Sequence, residues 1–477
     1  MGIKSESLKN RMCIRAISVF HLILLIALFC IYWWLFRYGS LQGNGNRIGV
    51  RYDWYAVILY VVLLVFFNNT YNSYLFGYTR IRGLVFEQYV SQFFSTCIVY
   101  AIATLAWGHC KNPICFLQML LICFALDVVC SYCGNAIYYR LNPQKAAIIV
   151  YRKNVDLHRI HNLQGKPMDR LYRFDKELCC NGKSFDEIEK ELDAYEAIFV
   201  AGIDSTVRNG ILKYCSETGK LGFFLPHIGD VLMKGSEHIP SFSAPVLATA
   251  RKKQVIEYVF IKRAFDIFAS LCGIIVLSPI MGITAILIKA YDRGPALYKQ
   301  TRLTKDGREF TILKFRSMRV DAEKDGKARL SSGENDDRIT PIGRFVRKCR
   351  LDELPQLFNI FKGDMSIVGP RPERPEIAEQ YYKEIPSFKL RLQVKAGLTG
   401  YAQVYGKYNT EPYEKLEFDL LYINSMSVLT DLKLMFATFG ILFSHESTEG
   451  IAAGQTTAMG DEKSTDSTEN EAEMVGK

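Results

Sequence analysis

Four apolar runs, at roughly 13–36, 54–76, 85–107 and 114–138, constrain this chain more than any other feature. Each approaches the ~20 residues that a helix needs to cross a hydrocarbon core. The first is too long for a removable signal peptide and lacks its small-residue cleavage site. Lys4, Lys9, Arg11 and Arg15 lie at its start, Arg80 and Arg82 fall between the second and third runs, and Arg140 and Lys145 follow the fourth. Because Lys and Arg collect in cytoplasmic loops, the N-terminus, the second loop and everything after the fourth run are expected in the cytoplasm. Arg47 and Arg51 in the first outer loop are a mild exception. Asp127 inside the fourth run reads equally as a functional intramembrane carboxylate or as a hydrogen-bonded group facing the bundle. The formal charge of +10 averages an apolar first 140 residues with a charged remainder, so it implies no nucleic-acid partner, and no zinc-finger or RNA-binding motif is present. Most of the thirteen cysteines sit in apolar runs or singly, and Cys179-Cys180 has no CxxC partner, so a zinc site is not expected and the cysteines read as free thiols in a reducing compartment.

Residues 1–145 therefore read as a four-span membrane domain, and the composition changes from Ala146. AAIIVY, AIFVAG and LGFFLP read as strands, with SFDEIEKELDAY and TVRNGILKYCSETG as helices between them. Strands alternating with helices predict a small, Rossmann-like parallel α/β domain over 146–250. The first strand is followed by YRKNVDLHR, not by phosphate-cradling glycines, so dinucleotide binding is rejected. A regulatory or assembly role and a plain spacer are equally open for this domain.

A further apolar segment, 262–289, is long enough to span but holds Pro279 after Ser278. Proline lacks an amide donor and clashes with the preceding turn, which predicts a break that the Ser278 hydroxyl can patch. Lys262, Arg263, Lys289 and Arg293 at the two ends suit anionic headgroups on one face. Taken alone, such a run more often crosses straight through.

Charge then concentrates. GPALYKQTRLTKDGREFTILKFRSMRVDAE, 294–323, predicts a hairpin turning at Lys305-Asp306-Gly307 and a strand leading to Lys314, Arg316 and Arg319. By itself this is a basic, solvated face. RFVRKCRLDELPQLFNIFKGDMSIVGPRPERPE, 344–376, packs Asp352 and Glu353 among Arg344, Arg347, Lys348, Arg350, Lys362, Arg371 and Arg374. A carboxylate can attack or bind a metal while cations neutralise phosphate charge. Alternatively, two acids near a helix start merely complement its dipole. Pro370 and Pro372 stiffen the backbone about Arg371, which lowers the entropy cost of forking its guanidinium onto phosphate. Gly397 and Gly400 around Thr399 mark a loop that approaches a ligand closely or simply turns. Asp419 lies in a helical stretch with a wide apolar face and is either a polar ligand of the site or a solvated residue. The polar, acid-rich tail at 444–477 is expected to be disordered.

KRAFDI, LSP, KFRSMRVDAE, the 344–376 stretch, GLTGYAQVYG and DLLYINSMS occur in that order, and the region 255–443 resembles the bacterial polyprenyl-phosphate sugar-1-phosphate transferases. The four spans and α/β domain in front resemble the long, undecaprenyl-phosphate galactose- or glucose-phosphotransferase type. The resemblance implies a membrane protein with a four-helix transmembrane bundle, a small cytoplasmic α/β domain and a mainly α (α+β) monotopic catalytic domain over 251–443. In that domain 262–289 is a re-entrant helix broken at Ser278-Pro279. It implies transfer of sugar-1-phosphate from a UDP-sugar to undecaprenyl phosphate at the inner membrane, with UMP leaving. Asp352 matches the nucleophile and Glu353 the Mg²⁺-binding partner. Arg347 and Arg371 match cations around the phosphates, a group to which Lys314, Arg316 and Arg374 are assigned, and Asp419 matches an acidic residue of the site. Arg350 departs from the pattern, since small residues are usual two positions before the nucleophile. The oligomeric state is left open, with the front two domains offering surfaces for a homodimer. The alternatives are a lipid-linked glycosyltransferase that releases UDP and a non-catalytic membrane scaffold.

Overall fold

The computed structural model describes residues 8–38, 51–107, 113–152, 160, 168–239, 246–248, 256–319, 338–406 and 411–442. The acidic tail, Lys4 and Arg47 lie outside these residues. The chain forms two compact units, 1–226 and 227–477.

The first unit opens with helices α1 (Leu8–Tyr38), α2 (Arg51–Tyr71), α3 (Ile81–Trp107) and α4 (Ile114–Leu141). All four are long and apolar enough to cross a membrane, as is a fifth helix later in the chain, and the protein is a membrane protein. Leu25, Phe29, Tyr60, Leu64, Val99 and Met119 fill the bundle interior, with the Phe29 and Tyr60 rings stacked 3.9 Å apart. Helix α2 stops at Tyr71, short of the expected 76, because Asn72 takes a left-handed φ of 54° and the Ser73 amide turns back to the Asn68 carbonyl. Asp127 is fully buried; it accepts from Gln92 Nε2 at 2.7 Å and lies 3.3 Å from His21 Nε2. Of the two readings of this carboxylate, the hydrogen-bonded group facing the bundle is the one observed.

The sheet that follows has four parallel strands, not three: β1 (Lys145–Tyr151), β2 (Tyr172–Cys179), β3 (Ala197–Ala201) and β4 (Leu221–Phe224), in the order β2-β1-β3-β4. The sequence reading missed β2 because it is an edge strand whose side chains are mostly exposed and charged, which removes the apolar signal of a buried parallel strand. Helices α5 (Phe185–Leu192), started by a Ser184–Glu187 capping box, and α6 (Ser205–Thr218) cover one face through Ile188, Leu192 and Ile211. Phe76, from the connection between α2 and α3, and Leu84, in the first turn of α3, pack on the other face against Ile149 and Phe199.

The second unit begins with α7 (Ile228–Lys234), which packs on a later helix, α12 (Pro412–Asn424), where Asn424 donates to the Val231 carbonyl at 2.7 Å. Helix α8 (Ile256–Asp292) follows, with Pro279 inside it. The Ser278 hydroxyl donates to the Ile275 carbonyl at 2.8 Å. That carbonyl, four residues before Pro279, is the one the proline leaves without its amide partner. Strands β5 (Leu297–Leu303) and β6 (Glu309–Phe315) form the expected hairpin, turning at Lys305–Gly307. Then come α9 (Pro341–Lys348), a 3₁₀ turn (Leu351–Glu353), α10 (Gln356–Lys362), β7 (Ser366–Val368), α11 (Pro375–Glu384), β8 (Gly397–Thr399), α12 and α13 (Val428–Leu442).

The basic start of α8 ties it to the rest of this unit. Arg263 donates to the Ile360 and Phe361 carbonyls at 2.7 and 2.8 Å, where α10 ends. Asp266 accepts from the Ile367 amide at 3.0 Å, and Lys262 pairs with Asp431 at 2.7 Å. Strand β8 runs parallel to β7. A Cβ on Gly397 or Gly400 would fall 2.1 or 2.3 Å from the backbone of Gly369, so these glycines let backbone meet backbone.

Candidate active site

Four local devices build the site. Helix α9 is started by Thr340 Oγ1, which accepts from the Gly343 amide at 2.9 Å. It ends at Arg350 in a left-handed conformation, φ 52°, which reverses the chain into the 3₁₀ turn carrying Asp352 and Glu353. Buried Asn359 of α10 accepts from the Leu313 amide at 2.9 Å and donates to the Thr311 carbonyl at 2.8 Å, stitching α10 to β6. That registers Lys314 beside the carboxylates. The Pro370–Pro372 segment then delivers Arg371.

The result is asymmetric. Glu353 is ringed by Arg371 Nη2 at 2.8 Å, Lys314 Nζ at 3.8 Å and Arg350 Nη1 at 3.9 Å. Asp352 receives no hydrogen bond or ion pair from any described residue. Burial and the Glu353 charge push the Asp352 carboxyl up to about 6, against Lys314, Arg347 and Arg371. Burial pushes Glu353 up too, but Arg371, Lys314 and Arg350 outweigh it and hold that carboxyl down at about 2. Burial lowers Lys314 to about 8 although Glu353 opposes it. Two adjacent carboxylates thus face different environments and have different protonation behaviour, as paired acids in catalytic sites do.

The predicted residues do not all meet. Lys314, Glu353 and Arg371 cluster, and Arg347, half-buried in the last turn of α9, acts on Asp352 through its charge. Arg316 is buried against Gly294. Arg374 sits at the start of α11, and its charge helps to lower Arg302. Asp419 is 1 % exposed and faces Arg391, its Oδ2 lying 2.8 Å from Arg391 Nη2. Arg391, Glu373, Arg302 and Asn359 escaped the sequence reading, because nothing in their immediate sequence marks an isolated charge or amide as buried. A cleft of about 830 Å³ elsewhere in this unit is lined by Leu232, Asp306, Glu309, Glu379 and Lys389 among others and contains none of the clustered residues.

Residues 257–445 match the model of the family described as bacterial sugar transferase. A UDP-glucose:undecaprenyl-phosphate glucose-1-phosphate transferase of Caulobacter vibrioides is 39% identical over 182 residues, which cover 37% of this chain and 67% of that protein. This chain belongs to the bacterial sugar transferase family. A UDP-N-acetylgalactosamine-undecaprenyl-phosphate N-acetylgalactosaminephosphotransferase of Aeromonas hydrophila is 42% identical over 184 residues, 38% of this chain and 43% of that protein. A UDP-glucose:undecaprenyl-phosphate glucose-1-phosphate transferase of Klebsiella pneumoniae is 40% identical over 211 residues, 43% of each. The likeness thus spans less than half the length of the last two relatives. In this sugar transferase chain the matched region lies within the second unit and contains every residue of the carboxylate cluster.

Proposed function

We propose that this protein transfers sugar-1-phosphate from a UDP-sugar to undecaprenyl phosphate, an initiating membrane step in bacterial polysaccharide assembly. The observation that carries the reading is the contrast between Glu353, held in ion pairs by three cations, and Asp352, which forms an ion pair with none of them. The relatives' names supply the substrate class.

In this reading an Asp352 carboxylate oxygen attacks the sugar-bearing phosphorus of the donor. The bond from that phosphorus to UMP breaks, and UMP leaves with the electron pair. A phosphate oxygen of undecaprenyl phosphate then attacks the same phosphorus and displaces Asp352, giving the lipid diphosphate sugar. A covalent carboxylate intermediate lets the two anionic substrates be handled in turn. Lys314, Arg347 and Arg371 offset phosphate charge, which phosphoryl transfer needs more than any other service. Among the described residues no group of three or more His, Cys, Asp or Glu gathers that could hold a metal unaided. Mg²⁺ commonly takes only one or two carboxylates and completes its shell with phosphate and water, so Glu353 with Asp352 beside it fits that ion. Bound there, Mg²⁺ would neutralise phosphate charge.

Helix α8 brings the lipid to this site. Its exposed face carries Phe268, Ile275, Val276, Ile283 and Ile286. Arg263 near one end and Ile288 near the other both pack on the same domain, which supports a helix that enters and returns on the cytoplasmic side of the inner membrane.

Purified protein given a panel of UDP-sugars and undecaprenyl phosphate is expected to release UMP. Release of UDP would indicate a glycosyltransferase instead, and no nucleotide release would indicate a scaffold. Asp352→Asn is expected to abolish turnover while donor binding persists, and donor alone should leave a phosphosugar adduct on Asp352 by mass spectrometry.

A further inference from the structure

Outside the carboxylate cluster lies a second set of buried charges that the reaction does not use directly. Arg391 is 3 % exposed, and its Nη2 lies 2.8 Å from Asp419 Oδ2 and donates to the backbone carbonyl of Arg371 at 2.8 Å. Its Nη1 lies 3.5 Å from Glu373 Oε1. Arg302 approaches the other oxygen of Glu373 at 4.0 Å and donates to the Pro372 carbonyl at 3.0 Å. The flanking carbonyls are also held: Pro370 accepts from the Gly397 amide at 2.8 Å and Glu373 from the Leu303 amide at 3.0 Å. Each carbonyl from Pro370 to Glu373 therefore has a fixed donor, and two of the four donors are guanidiniums, that of Arg391 buried and that of Arg302 half-buried.

We infer that Arg391 and Asp419, with Arg302 and Glu373, form a backbone clamp that aims the Arg371 guanidinium at Glu353, so that Asp419 is a positioning residue and not a ligand of substrate. The physical need is clear. Arg371 carries a long side chain that is 41 % exposed, so the precision of its fork depends on the backbone from which it springs. The two prolines fix their own φ and bias Arg371, which precedes Pro372, towards an extended conformation, but they hold none of the segment's carbonyls in place. Neutral amides alone hold the segment's ends, whereas charge-assisted donors at the middle carbonyls are stronger. Asp419 and Glu373 keep Arg391 stable in a site too dry for a lone cation. A misplacement on the order of 1 Å at a charge-stabilising group can cost roughly a hundredfold in rate.

This inference rests on the transferase reading above, and its test keeps the two apart. Asp419→Asn keeps the shape of the side chain and removes its charge. It is expected to lower kcat for UMP release by on the order of tenfold to a hundredfold. In an Arg371→Ala background the same substitution is expected to cost nothing further, because a residue acting only through Arg371 has no effect once that guanidinium is gone. Losses that multiply in the double variant would overturn the clamp. If Asp419→Asn does not fold, Arg391→Lys is carried through the same cycle with the same expectation. Hydrogen exchange provides an arm independent of activity: the Leu303 and Gly397 amides are expected to exchange about tenfold faster in Asp419→Asn or Arg391→Lys than in the unaltered protein. Unchanged exchange at both amides would overturn the clamp even if UMP release is confirmed. If the unaltered protein releases no UMP, the transferase reading fails, and the exchange result alone decides whether the clamp exists.

Discussion

The guanidinium of Arg371 meets Glu353 at 2.8 Å, while Asp352, the next residue along the chain, receives no ion pair from the described residues. This division of partners separates the two carboxyls. One is ionised under all ordinary conditions, and the other titrates close to working pH. A nucleophile benefits from being unengaged, and a metal or phosphate partner benefits from being fixed.

The acid limb of kcat/KM is expected near pH 6, where Asp352, the nucleophile of the proposed reaction, becomes protonated. Glu353→Gln removes the negative neighbour and is expected to move this limb downward while lowering the rate. A pH profile of UMP release measures both. A limb that stays in place in Glu353→Gln would mean that Asp352 does not set it. The linkage to folding has opposite signs for the two residues. The raised Asp352 favours the folded state more as pH falls through about 6. The depressed Glu353 contributes stability above the ordinary glutamate range that is lost as pH falls towards about 2.

Lys314 predicts the other limb. Burial lowers its ammonium to about 8, so activity is expected to fall as pH rises through 8 and the lysine loses its charge. Lys314→Arg keeps a cation that does not deprotonate in this range. Its profile is expected to stay flat to above pH 9 even if its peak rate is lower. A base limb that remains near 8 in this variant would assign it to another group.

Much of this fold was legible because its signals are local. The long apolar helices come from apolar length, the hairpin from Lys305-Asp306-Gly307, and the bond from the Ser278 hydroxyl to the Ile275 carbonyl from Ser278-Pro279, although the helix runs on through the expected break. Strand β2 was not legible, since an exposed edge carries little apolar pattern. The clamp was not legible either. Arg302, Glu373, Arg391 and Asp419 are separated by up to more than a hundred residues and meet only through tertiary packing. The glycines of GLTG announced a close approach but not its target, which is the Gly369 backbone.

Arg350 sits at φ 52°, a conformation that costs a side-chain-bearing residue roughly 1 kcal/mol. The cost arises from the Cβ, so glycine alone escapes it. Arg350→Gly is expected to raise stability in chemical denaturation by up to about 1 kcal/mol, and Arg350→Val to lower it by at least as much. Activity in Arg350→Gly is expected to fall only severalfold, because Arg350 approaches Glu353 no closer than 3.9 Å. A stability loss in Arg350→Gly would show that the ion pair outweighs the backbone strain.

Helix α8 gives the last prediction. Its length alone would carry it across a bilayer, yet domain contacts run along it from Arg263 to Ile288. That is roughly 38 Å of helix at 1.5 Å per residue. A helix crossing straight would have to pull one of these ends off the domain. Glu257→Cys and Arg293→Cys are therefore expected to react with an impermeant maleimide from the same, cytoplasmic side. The labels are read peptide by peptide by mass spectrometry in inverted and right-side-out vesicles, so native cysteines do not interfere. Ser278→Ala leaves the Ile275 carbonyl without its hydroxyl and is expected to cost about 1 kcal/mol of stability without changing the sidedness. Labelling of the two positions from opposite sides would make α8 a membrane span and leave its contacts along this unit unexplained.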